Sequence, residues 1–414
     1  MNPLQPVRGT QDLLPAAHRR HRAIVETARS LAERFGYAEV ATPIFEFTEV
    51  FARPIGEATD IVQKEMYSFR DRGGDEITLR PEYTAGLVRA VVSNGLTQSL
   101  PLKLFAQGPM FRYERPQKGR FRQFHQLDVE LIGVAQPLGD VEVIALGAAI
   151  LEALGVLGRT ELEINTLGDT ESRSAYRAAL VEYYERRRDA LSEESRDRLG
   201  RNPLRILDSK DPGDKRVNEE APSFAAYLTP DARRFFDEVL AGLDKIGIAY
   251  RLAPRLVRGL DYYCHTAFEF VTETLGAQGT VLGGGRYDGL MGVMGGPETP
   301  GVGWAAGIER LALMVDEPPA PPRPIALVPL GDAAEAAALG LAHELRREGY
   351  AVELGYSGNL RRRLQRADKI NARAAVILGE DELQRGAAAL RDLDTKEQVE
   401  VPLAALKERL QAFR

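Results

Sequence analysis

The spacing of apolar residues predicts one long helix near the start of the chain and a series of strands after it. Residues 16–35 repeat apolar positions at helical intervals and are followed by Gly36, which is typical of a helix end. Alternating apolar and polar positions then predict strands, and their short connections favour an antiparallel sheet. These strands are 37–42, 77–79, 102–112, 122–132, 161–165, 266–271 and 280–282.

Polar helical segments interrupt the strand pattern between Asp169 and Ile246. Charged residues there recur at helical rather than alternating intervals, and strand patterns resume afterwards. We therefore expect a helical insertion at about residues 169–247 within one larger domain, residues 1–315.

A proline-rich segment, residues 316–324, contains five prolines in nine positions and predicts a linker, because proline excludes both helix and central strand. Beyond it, a small α/β domain with a mostly parallel sheet is predicted at residues 325–414. Its expected strands are 325–330, 351–356, 374–378 and 399–401, and its expected helices are 332–348, 359–372 and 402–413.

Composition narrows the class of protein further. The 414 residues carry a net charge of −6, so a global positive field for nucleic acid is excluded, although a local basic face is not. With Cys264 as the single cysteine, no internal disulfide can form, and a reducing cytoplasm is expected. We expect no membrane span and no signal peptide. We also expect no structural metal, because the helically spaced His18 and His21 lack a neighbouring thiol or carboxylate cluster in sequence.

Candidate chemistry is densest in residues 111–131. If 122–132 is a strand, arginine, amide and carboxylate side chains share one face, and cations crowd the loop before it. A ligand that is anionic at one end and cationic at the other would suit such a face. The alternative is a solvent-exposed outer face of the sheet. The strand residues are Arg122, Phe124, Gln126, Asp128 and Glu130, and the loop residues are Arg115, Lys118 and Arg120.

Four other segments offer polar groups. Arg258 precedes a strand that begins with two tyrosines, and a Cys264–His265 dyad is not expected because strand neighbours point to opposite faces. Residues 283–289 are interpreted as a tight turn presenting Arg286 and Tyr287, and residues 301–311 as a strand leading into a helix with Arg310. Neither run has dinucleotide or P-loop spacing. The fourth segment places Glu82 and Thr84 in the first turn of a helix.

Taken in order, these segments resemble the three signature motifs of class II aminoacyl-tRNA synthetases. Residues 256–263 (LVRGLDYY) and 284–290 (GGRYDGL) are similar to two signatures of the histidyl-tRNA synthetase family. The resemblance covers nearly the whole chain and extends to an anticodon-binding-like domain at the C-terminus. It implies an α+β catalytic core on an antiparallel sheet, with a helical insertion and a small α/β domain after it.

The resemblance also implies an activity. A homodimer would activate L-histidine with ATP and Mg²⁺ and transfer it to tRNA(His). Matching positions imply substrate-binding roles for Glu82, Tyr83, Thr84, Gln126, Glu130, Tyr262, Tyr263 and Tyr287. They imply ATP-binding roles for Arg112, Glu114, Arg120, Arg258 and Arg310, of which Arg112, Arg258 and Arg310 are the catalytic cations. Arg115 and Gln117 would approach the tRNA acceptor end.

Two positions depart from the family pattern. Tyr83 replaces a glycine that is common in bacterial members and is expected beside the substrate, and Asp128 replaces a small residue. We expect Asp128 to hydrogen-bond Tyr83 or a motif arginine. In the C-terminal domain, a basic helix predicts tRNA contacts by Arg362 and Arg366, in a stripe continuing to Lys369 and Arg373.

Two alternatives of other classes remain open from the sequence. One is a catalytically silent paralogue that serves as regulatory subunit of ATP phosphoribosyltransferase, although such proteins usually lack the anticodon domain and lose motif arginines. The other is a non-catalytic RNA-binding module, which would leave the polar row on strand 122–132 unexplained.

Overall fold

The computed structural model describes residues 3–56, 59, 61–207, 209–257, 260, 262–276 and 279–414. It consists of two compact units, Met1–Pro318 and Pro319–Arg414. The division falls inside the proline-rich segment. Among the described residues, none of the helices combines the length and apolarity needed to cross a bilayer.

The strands are numbered along the chain. They are β1 (Ala38–Glu39), β2 (Phe45–Phe47), β3 (Tyr67–Arg70), β4 (Glu76–Leu79), β5 (Leu102–Phe111), β6 (Gln123–Ile132), β7 (Glu161–Thr166), β8 (Arg251–Leu252), β9 (Cys264–Val271), β10 (Thr280–Arg286), β11 (Gly301–Gly307), β12 (Ile325–Leu330), β13 (Val352–Leu354), β14 (Ala374–Gly379), β15 (Ala387–Asp392) and β16 (Gln398–Pro402).

The α-helices follow the same convention. They are α1 (Pro15–Arg34), α2 (Glu49–Ile55), α3 (Thr84–Ser93), α4 (Pro137–Ala153), α5 (Thr170–Glu185), α6 (Glu193–Arg201), α7 (Pro212–Glu219), α8 (Pro230–Lys245), α9 (Leu290–Val293), α10 (Ile308–Ala312), α11 (Asp332–Arg347), α12 (Leu360–Lys369), α13 (Glu380–Gln384) and α14 (Leu403–Leu410).

The first unit is built on a large sheet, which in the described residues has eight strands in the order β1-β5-β6-β11-β10-β9-β7-β8. All its pairs are antiparallel except the outermost two, β1 with β5 and β7 with β8. This confirms the predicted α+β core on an antiparallel sheet. The strand expected at 37–42 is shorter than predicted, since only β1 pairs.

Long helices cover one face of the large sheet, whereas α3 and α9 pack against part of the other face. Leu127, Val129 and Leu131 of β6 point to the first of these faces and pack in one apolar core. Helices α1, α4 and α8 contribute to that core. Alternation along the strand therefore sends the polar row of β6 to the opposite face.

The tight turn predicted at residues 283–289 is wrong for residues 283–286, which extend β10 as far as Arg286, and a turn follows only at residues 288–289. The glycines of β10 pair with β11 in register, with Gly284 opposite Trp304. A Cβ on Gly284 would lie 2.0 Å from the carbonyl oxygen of Gly303. The glycine run therefore permits close backbone approach in the middle of a sheet, which resembles a turn signal in sequence.

The helical block after β7 has two parts. Helices α5 and α6 surround a separate apolar cluster that includes Tyr176, Leu180 and Leu199. Helix α8 instead adds Val239 and Leu243 to the core beneath the large sheet. The polar block expected at about 169–247 thus shares its last helix with the main core.

The second unit contains a five-stranded sheet in the order β13-β12-β14-β15-β16, as far as its described residues show. Its pairs β12–β13 and β12–β14 are parallel, whereas β14–β15 and β15–β16 are antiparallel. The sheet is therefore mixed rather than mostly parallel. Strand β15 was missed because its alanine-rich sequence has low β-propensity.

Helix α12 ends at Lys369, three residues earlier than predicted. Arg373 therefore lies beyond the helix and pairs with Asp392 and Asp394. Arg363 is buried against the carbonyl oxygens of Gly355 and Gly358. The predicted stripe through Arg373 is wrong, and its helical part is Arg362, Arg366 and Lys369.

Candidate active site

The floor of the candidate site is the face of β6 and β11 that lies opposite the main apolar core. Gln126, Asp128 and Glu130 are all buried on this face. Their partners across β11 are Gly307, Ala305 and Gly303, respectively. Because these partners extend no further than a methyl group, the face is a shallow depression with acceptor groups along one side.

Glu130 is held by hydrogen bonds from two different elements. Thr84, the first residue of α3, donates to Glu130 Oε1 at 2.6 Å. Tyr287, immediately after β10, donates to Glu130 Oε2. A Cβ on Gly303 would lie 1.8 Å from Glu130 Oε2, so the carboxylate rests directly on the β11 backbone. The carboxylate is thereby fixed in one position.

The N-terminal end of α3 supplies a second carboxylate. Glu82 is buried, and its Oε1 accepts the backbone N–H of Ala85 at 2.9 Å. That bond satisfies one of the unpaired N–H groups of the first helical turn. A negative charge is also favoured there by the helix dipole.

Three tyrosines form the wall of the depression next to Glu130. The ring centroids of Tyr262 and Tyr263 are 4.7 Å apart, and those of Tyr262 and Tyr287 are 5.9 Å apart. Burial raises the pKa of Tyr262 and of Tyr287 well above the ordinary value. Both phenols therefore stay protonated and able to donate near neutral pH.

Burial also dominates the protonation of the carboxyl groups. It raises the pKa of Glu82, and it raises that of Glu130 to about 8 despite the hydrogen bonds from Thr84 and Tyr287. The pKa of Asp128 lies well above its ordinary value because of burial and the charges of Glu130 and Glu82. Three buried acids in one depression form a site for positively charged or N–H-rich groups.

A cavity of about 350 Å³ adjoins this depression at Gln126. Its lining includes Arg112, Arg120 and Arg310, with Glu114 among them. Burial and the charges of Arg120 and Arg112 both act to lower the pKa of Arg310. Clustered guanidinium groups in a partly enclosed cavity suit a polyanion such as a triphosphate.

Backbone contacts fix the orientation of two of these arginines. Arg112 Nε donates to the carbonyl oxygen of Pro81 at 2.9 Å, and Arg310 Nη1 donates to that of Thr280 at 2.6 Å. Arg120 pairs with Glu114. The loop between β5 and β6 leaves Arg115 and Gln117 exposed, where a large partner could reach them.

Comparison with known proteins decides the family. The family model for histidyl-tRNA synthetase matches residues 9–311, which is more than half of the chain. The chain belongs to the histidyl-tRNA synthetase family. A second model, described as an anticodon binding domain, matches residues 325–413.

Relatives in this family match the chain over its full length. The histidine–tRNA ligase of Rhodospirillum rubrum is 60% identical over 100% of both chains, and that of Gluconobacter oxydans is 55% identical over 100% of both. The crystal structure of the apo histidyl-tRNA synthetase of S. aureus has a TM-score of 0.82 and 35% identity, covering 98% of this chain and 99% of that one. A Bacillus halodurans structure described as an ATP phosphoribosyltransferase regulatory subunit/histidyl-tRNA synthetase shares the fold, with 23% identity and a TM-score of 0.66.

Most of the substrate-binding and ATP-binding residues predicted from the sequence lie on two adjoining surfaces. The depression brings together Glu82, Thr84, Gln126, Glu130, Tyr262, Tyr263 and Tyr287, and the cavity brings together Arg112, Glu114, Arg120 and Arg310. Arg258 lies outside the described residues. Arg362 and Arg366 belong to the second unit.

Tyr83 occupies a different place from the one expected. Its ring packs with Leu87, Ala106 and Met110, and Arg80 lies over it at 4.2 Å. Its hydroxyl donates to the carbonyl oxygen of Gln107 at 3.2 Å. The tyrosine is thus a buried packing residue behind the start of α3. This position gives no support to the predicted contact of Tyr83 with the substrate.

The expected hydrogen bond from Asp128 to Tyr83 or to a motif arginine is wrong. Neither carboxyl oxygen of Asp128 has a hydrogen-bond partner among the described residues. Tyr83 is committed to Gln107, as described above. Arg112 uses its Nε on the Pro81 carbonyl.

Sequence reasoning missed the contacts that brace the site from behind. Glu309 of α10 accepts the backbone N–H of His125 and contacts its Nδ1 at 2.8 Å, and the His21 ring lies 5.7 Å from that of His125. These three side chains thereby join α1, β6 and α10, although His21 lacks a carboxylate near it in sequence. Helical spacing alone could not have revealed a cluster drawn from three distant segments.

A buried ion pair positions Tyr287. Arg286, its neighbour in the chain, pairs with Asp140 of α4, and both side chains are fully buried. Arg286 also donates to the carbonyl oxygen of Val134 at 2.9 Å. A charged pair with these extra bonds fixes the end of β10, and therefore the point from which Tyr287 reaches Glu130.

Proposed function

We propose that the chain activates L-histidine with ATP to histidyl-adenylate and transfers the histidyl group to the 3′ end of tRNA(His). The observation that carries this proposal is the adjacency of two chemically opposite surfaces. An acidic depression around Glu130 meets the arginine-lined cavity at Gln126. Full-length relatives named histidine–tRNA ligase support the same activity.

The depression is suited to the side chain of histidine. An imidazole ring has two nitrogen atoms, and we propose that Glu130 and Tyr263 each engage one of them, with Tyr262 and Tyr287 shaping the pocket. Both oxygens of Glu130 already accept one hydrogen bond, and the carboxyl group retains a lone pair for an imidazole N–H. Another amino acid would leave buried groups unpaired, which gives strong discrimination.

The substrate ammonium would be held by Glu82, Thr84 and Gln126, next to the imidazole pocket. Glu82 and Thr84 are fixed by their bonds to Ala85 and Glu130, and this preorganises the acceptors before the substrate arrives. The carboxylate of the amino acid would then point toward the cavity that holds the phosphates.

The first chemical step is attack of the histidine carboxylate on the α-phosphorus of ATP. The new bond joins a carboxylate oxygen to phosphorus, and the bond from phosphorus to the bridging oxygen breaks to release pyrophosphate. Arg112 and Arg310 would neutralise the developing charge, supported by Glu114 and Arg120. Arg258 keeps its predicted role on the α-phosphate and carboxylate. ATP would enter as its Mg²⁺ complex.

In the second step a ribose hydroxyl of the terminal adenosine attacks the acyl carbon, and AMP leaves. We propose that Arg115 and Gln117 approach the acceptor end, and that Arg362 and Arg366 contact the tRNA elsewhere. Arg362 and Arg366 line a cavity of about 300 Å³ in the second unit. The domain roles follow: residues 1–315 catalyse the reaction and residues 325–414 bind the anticodon region.

A homodimer in the cytoplasm is proposed as the working form. The small sheet of β2, β4 and β3 exposes Phe45, Phe47 and Phe69 to solvent, each by about half of its surface. An apolar patch of this kind commonly marks a protein interface. Sedimentation of wild type against Phe47→Asp tests the dimer, which the variant should weaken.

Histidine-dependent ATP–pyrophosphate exchange, followed by charging of tRNA(His), tests the activity. The regulatory-subunit alternative is not favoured, because the relatives at 46–60% identity are named ligases. Exchange with histidine and with no other amino acid is the expected result. Absence of exchange with a folded protein would overturn the proposal.

A further inference from the structure

Asp128 is a buried carboxyl group whose oxygen atoms the protein leaves unused. Only 1% of the residue is exposed, and both oxygens lack a hydrogen-bond partner among the described residues. Burial of an unpaired acceptor is costly, and that of a charged one more so. A hydrogen-bond donor from a bound ligand would offset this cost.

Asp128 lies on the same face of β6 as Gln126 and Glu130, between the residues of the two substrate surfaces. Its cross-strand neighbours are Ala106 on β5 and Ala305 on β11, which contribute only methyl groups. Ala305 and Gln126 line the cavity that adjoins the depression. Gln126 Oε1 is also buried without a partner in the described part of the chain. Two neighbouring acceptors on one strand face thus lack donors.

The charges of Arg80 and Arg112 act to lower the pKa of Asp128, but the hydrogen bonds of both side chains go to backbone carbonyl oxygens. Arg80 donates through Nε to the Pro109 carbonyl and through Nη1 to that of Thr42. Arg112 donates to the Pro81 carbonyl. The group that would complete this surface is a compact cation with several N–H bonds, and a primary ammonium has that chemistry.

We propose that Asp128, together with Gln126 Oε1, accepts hydrogen bonds from the α-ammonium group of the bound amino acid. Asp128 is therefore a further substrate-binding residue, and it selects ligands that carry the amine. This inference rests on the proposed function, since it assumes that histidine occupies the depression. The contact exists before and during the chemical step, so its loss changes KM rather than kcat.

The test compares two ligands on the full-length protein. Asp128→Asn keeps the shape of the side chain but cannot ionise to a carboxylate when a cation binds. Calorimetry should show affinity for L-histidine falling on the order of 10- to 100-fold, the size expected for one lost charge-assisted hydrogen bond. Affinity for 3-(imidazol-4-yl)propionate, which lacks the amine, should change by less than about twofold. In pyrophosphate exchange the KM for histidine should rise while kcat stays within about threefold.

Glu130→Gln is the matched control, because it alters the neighbouring carboxylate that faces the imidazole. It should weaken binding of both ligands to a similar extent. Thermal unfolding supplies a second readout for Asp128→Asn. Replacing an unpaired buried carboxyl group should leave the unfolding temperature unchanged or higher, whereas removing a structural contact would lower it.

Equal losses for both ligands in Asp128→Asn, or unchanged affinity for histidine, would overturn the inference. Asp128→Ala answers the same question if the asparagine variant does not fold, since its neighbours Ala106 and Ala305 accommodate a methyl group. Failure of the wild-type protein to bind histidine would instead overturn the proposed function.

Discussion

At the scale of single residues, the site is governed by the burial of Glu82, Asp128 and Glu130 within one depression. Each carboxyl group has a raised pKa, with burial as the largest cause. The protein surrounds Glu130 with donors but leaves Asp128 without one among the described residues. The free protein therefore carries an unfavourable arrangement that the proposed ammonium contact would relieve.

Replacing Glu130 with alanine should weaken histidine recognition far more than ATP binding. The variant removes a buried charge-assisted hydrogen bond, which is worth on the order of 1.5–3 kcal/mol. The KM for histidine in pyrophosphate exchange should rise by at least about tenfold, with the KM for ATP changed much less. An unchanged KM for histidine would show that this strand face does not hold the imidazole.

The raised pKa of Glu130 also predicts how stability depends on pH. Between about pH 4.5 and pH 8, the folded protein holds a proton on Glu130 that the unfolded chain releases. The free energy of unfolding therefore falls as pH rises through this window, by up to about 1.4 kcal/mol per pH unit from this group.

Glu130→Gln removes that contribution. Unfolding temperatures are measured for both proteins at pH 5, 6, 7 and 8. The unfolding temperature of the variant relative to that of wild type should increase as pH rises. Parallel curves for the two proteins would mean that Glu130 is ionised throughout the window.

At the scale of secondary-structure elements, the pocket depends on how closely β10 and β11 approach the neighbouring strands. Gly303 sits opposite Glu130, with no room for a Cβ, and Gly284 sits in the same tight pairing. Helix α3 and the end of β10 then bring Thr84 and Tyr287 to the two oxygens of Glu130. The backbone of two strands thus determines where the carboxylate lies.

Gly303→Ala should displace Glu130 and impair histidine binding. Its Cβ would lie 1.8 Å from Glu130 Oε2 and 2.4 Å from the carbonyl oxygen of Val129, so side chain and backbone must both move. We expect an increase of at least about tenfold in the KM for histidine, together with lower stability. Gly289→Ala is the control, because a Cβ there meets nothing within 4 Å. Wild-type kinetics in Gly303→Ala would show that the pocket tolerates a shift of this strand.

The sequence predicted which side chains share a strand face, but it did not predict how the strands pack together. Period-two alternation correctly placed Gln126, Asp128 and Glu130 on one face, because that property is local to β6. It could not reveal that Asp128 would lie between alanines on both neighbouring strands, since that depends on register. The glycines of β10 were predicted to form a turn because glycine is favoured both in tight turns and where two strand backbones approach closely.

Contacts between residues far apart in the sequence could not be predicted either. The contact between Glu309 and His125 spans 184 positions, and the pair of Arg286 with Asp140 spans 146. Such contacts follow from the fold rather than from local sequence. The family resemblance implied which residues would bind the substrate, but it did not indicate the buried pairs that hold the surrounding elements.

At the scale of the whole molecule, two separately packed units divide the proposed work. The second unit has its own apolar cores, formed by residues such as Leu327 and Val376 on one side of its sheet and Val328 and Ala375 on the other. Its exposed basic residues are fewer than the sequence indicated. Arg363 is buried, and Arg366 remains exposed but pairs with Glu353 at 2.5 Å.

Deleting residues 325–414 should leave adenylate formation largely intact and greatly reduce tRNA charging. The proposed catalytic residues belong to the part of the chain that forms the first unit, whereas the second supplies the proposed tRNA contacts. Pyrophosphate exchange and aminoacylation on the same preparation measure the two effects separately. Full charging by the truncated protein would exclude a tRNA-binding role for this unit.

Reversing Arg362 and Arg366 to glutamate in the full-length chain should give a milder defect. The KM for tRNA should rise, and the salt dependence of tRNA binding should become shallower, because fewer counterions are released. Asp332→Lys/Glu335→Lys on α11 is a comparison pair that changes charge elsewhere in the unit. An equal loss in both doubly substituted proteins would indicate a general charge effect.

The small residues of the pocket floor also limit how its selectivity can be altered. Gly303, Ala305 and Gly307 lie beside the three polar side chains of β6, and any substitution at the two glycines can only add atoms. Space for a larger amino acid cannot be made by shortening the side chains of Gly303, Ala305 and Gly307, because none of them is larger than a methyl group. Acceptance of a different side chain would have to come from the walls, through Glu130 and the tyrosines, where each change also breaks a hydrogen bond or a ring contact. Mutational routes to a new substrate are therefore few, and the first step along each one lowers activity toward the old substrate.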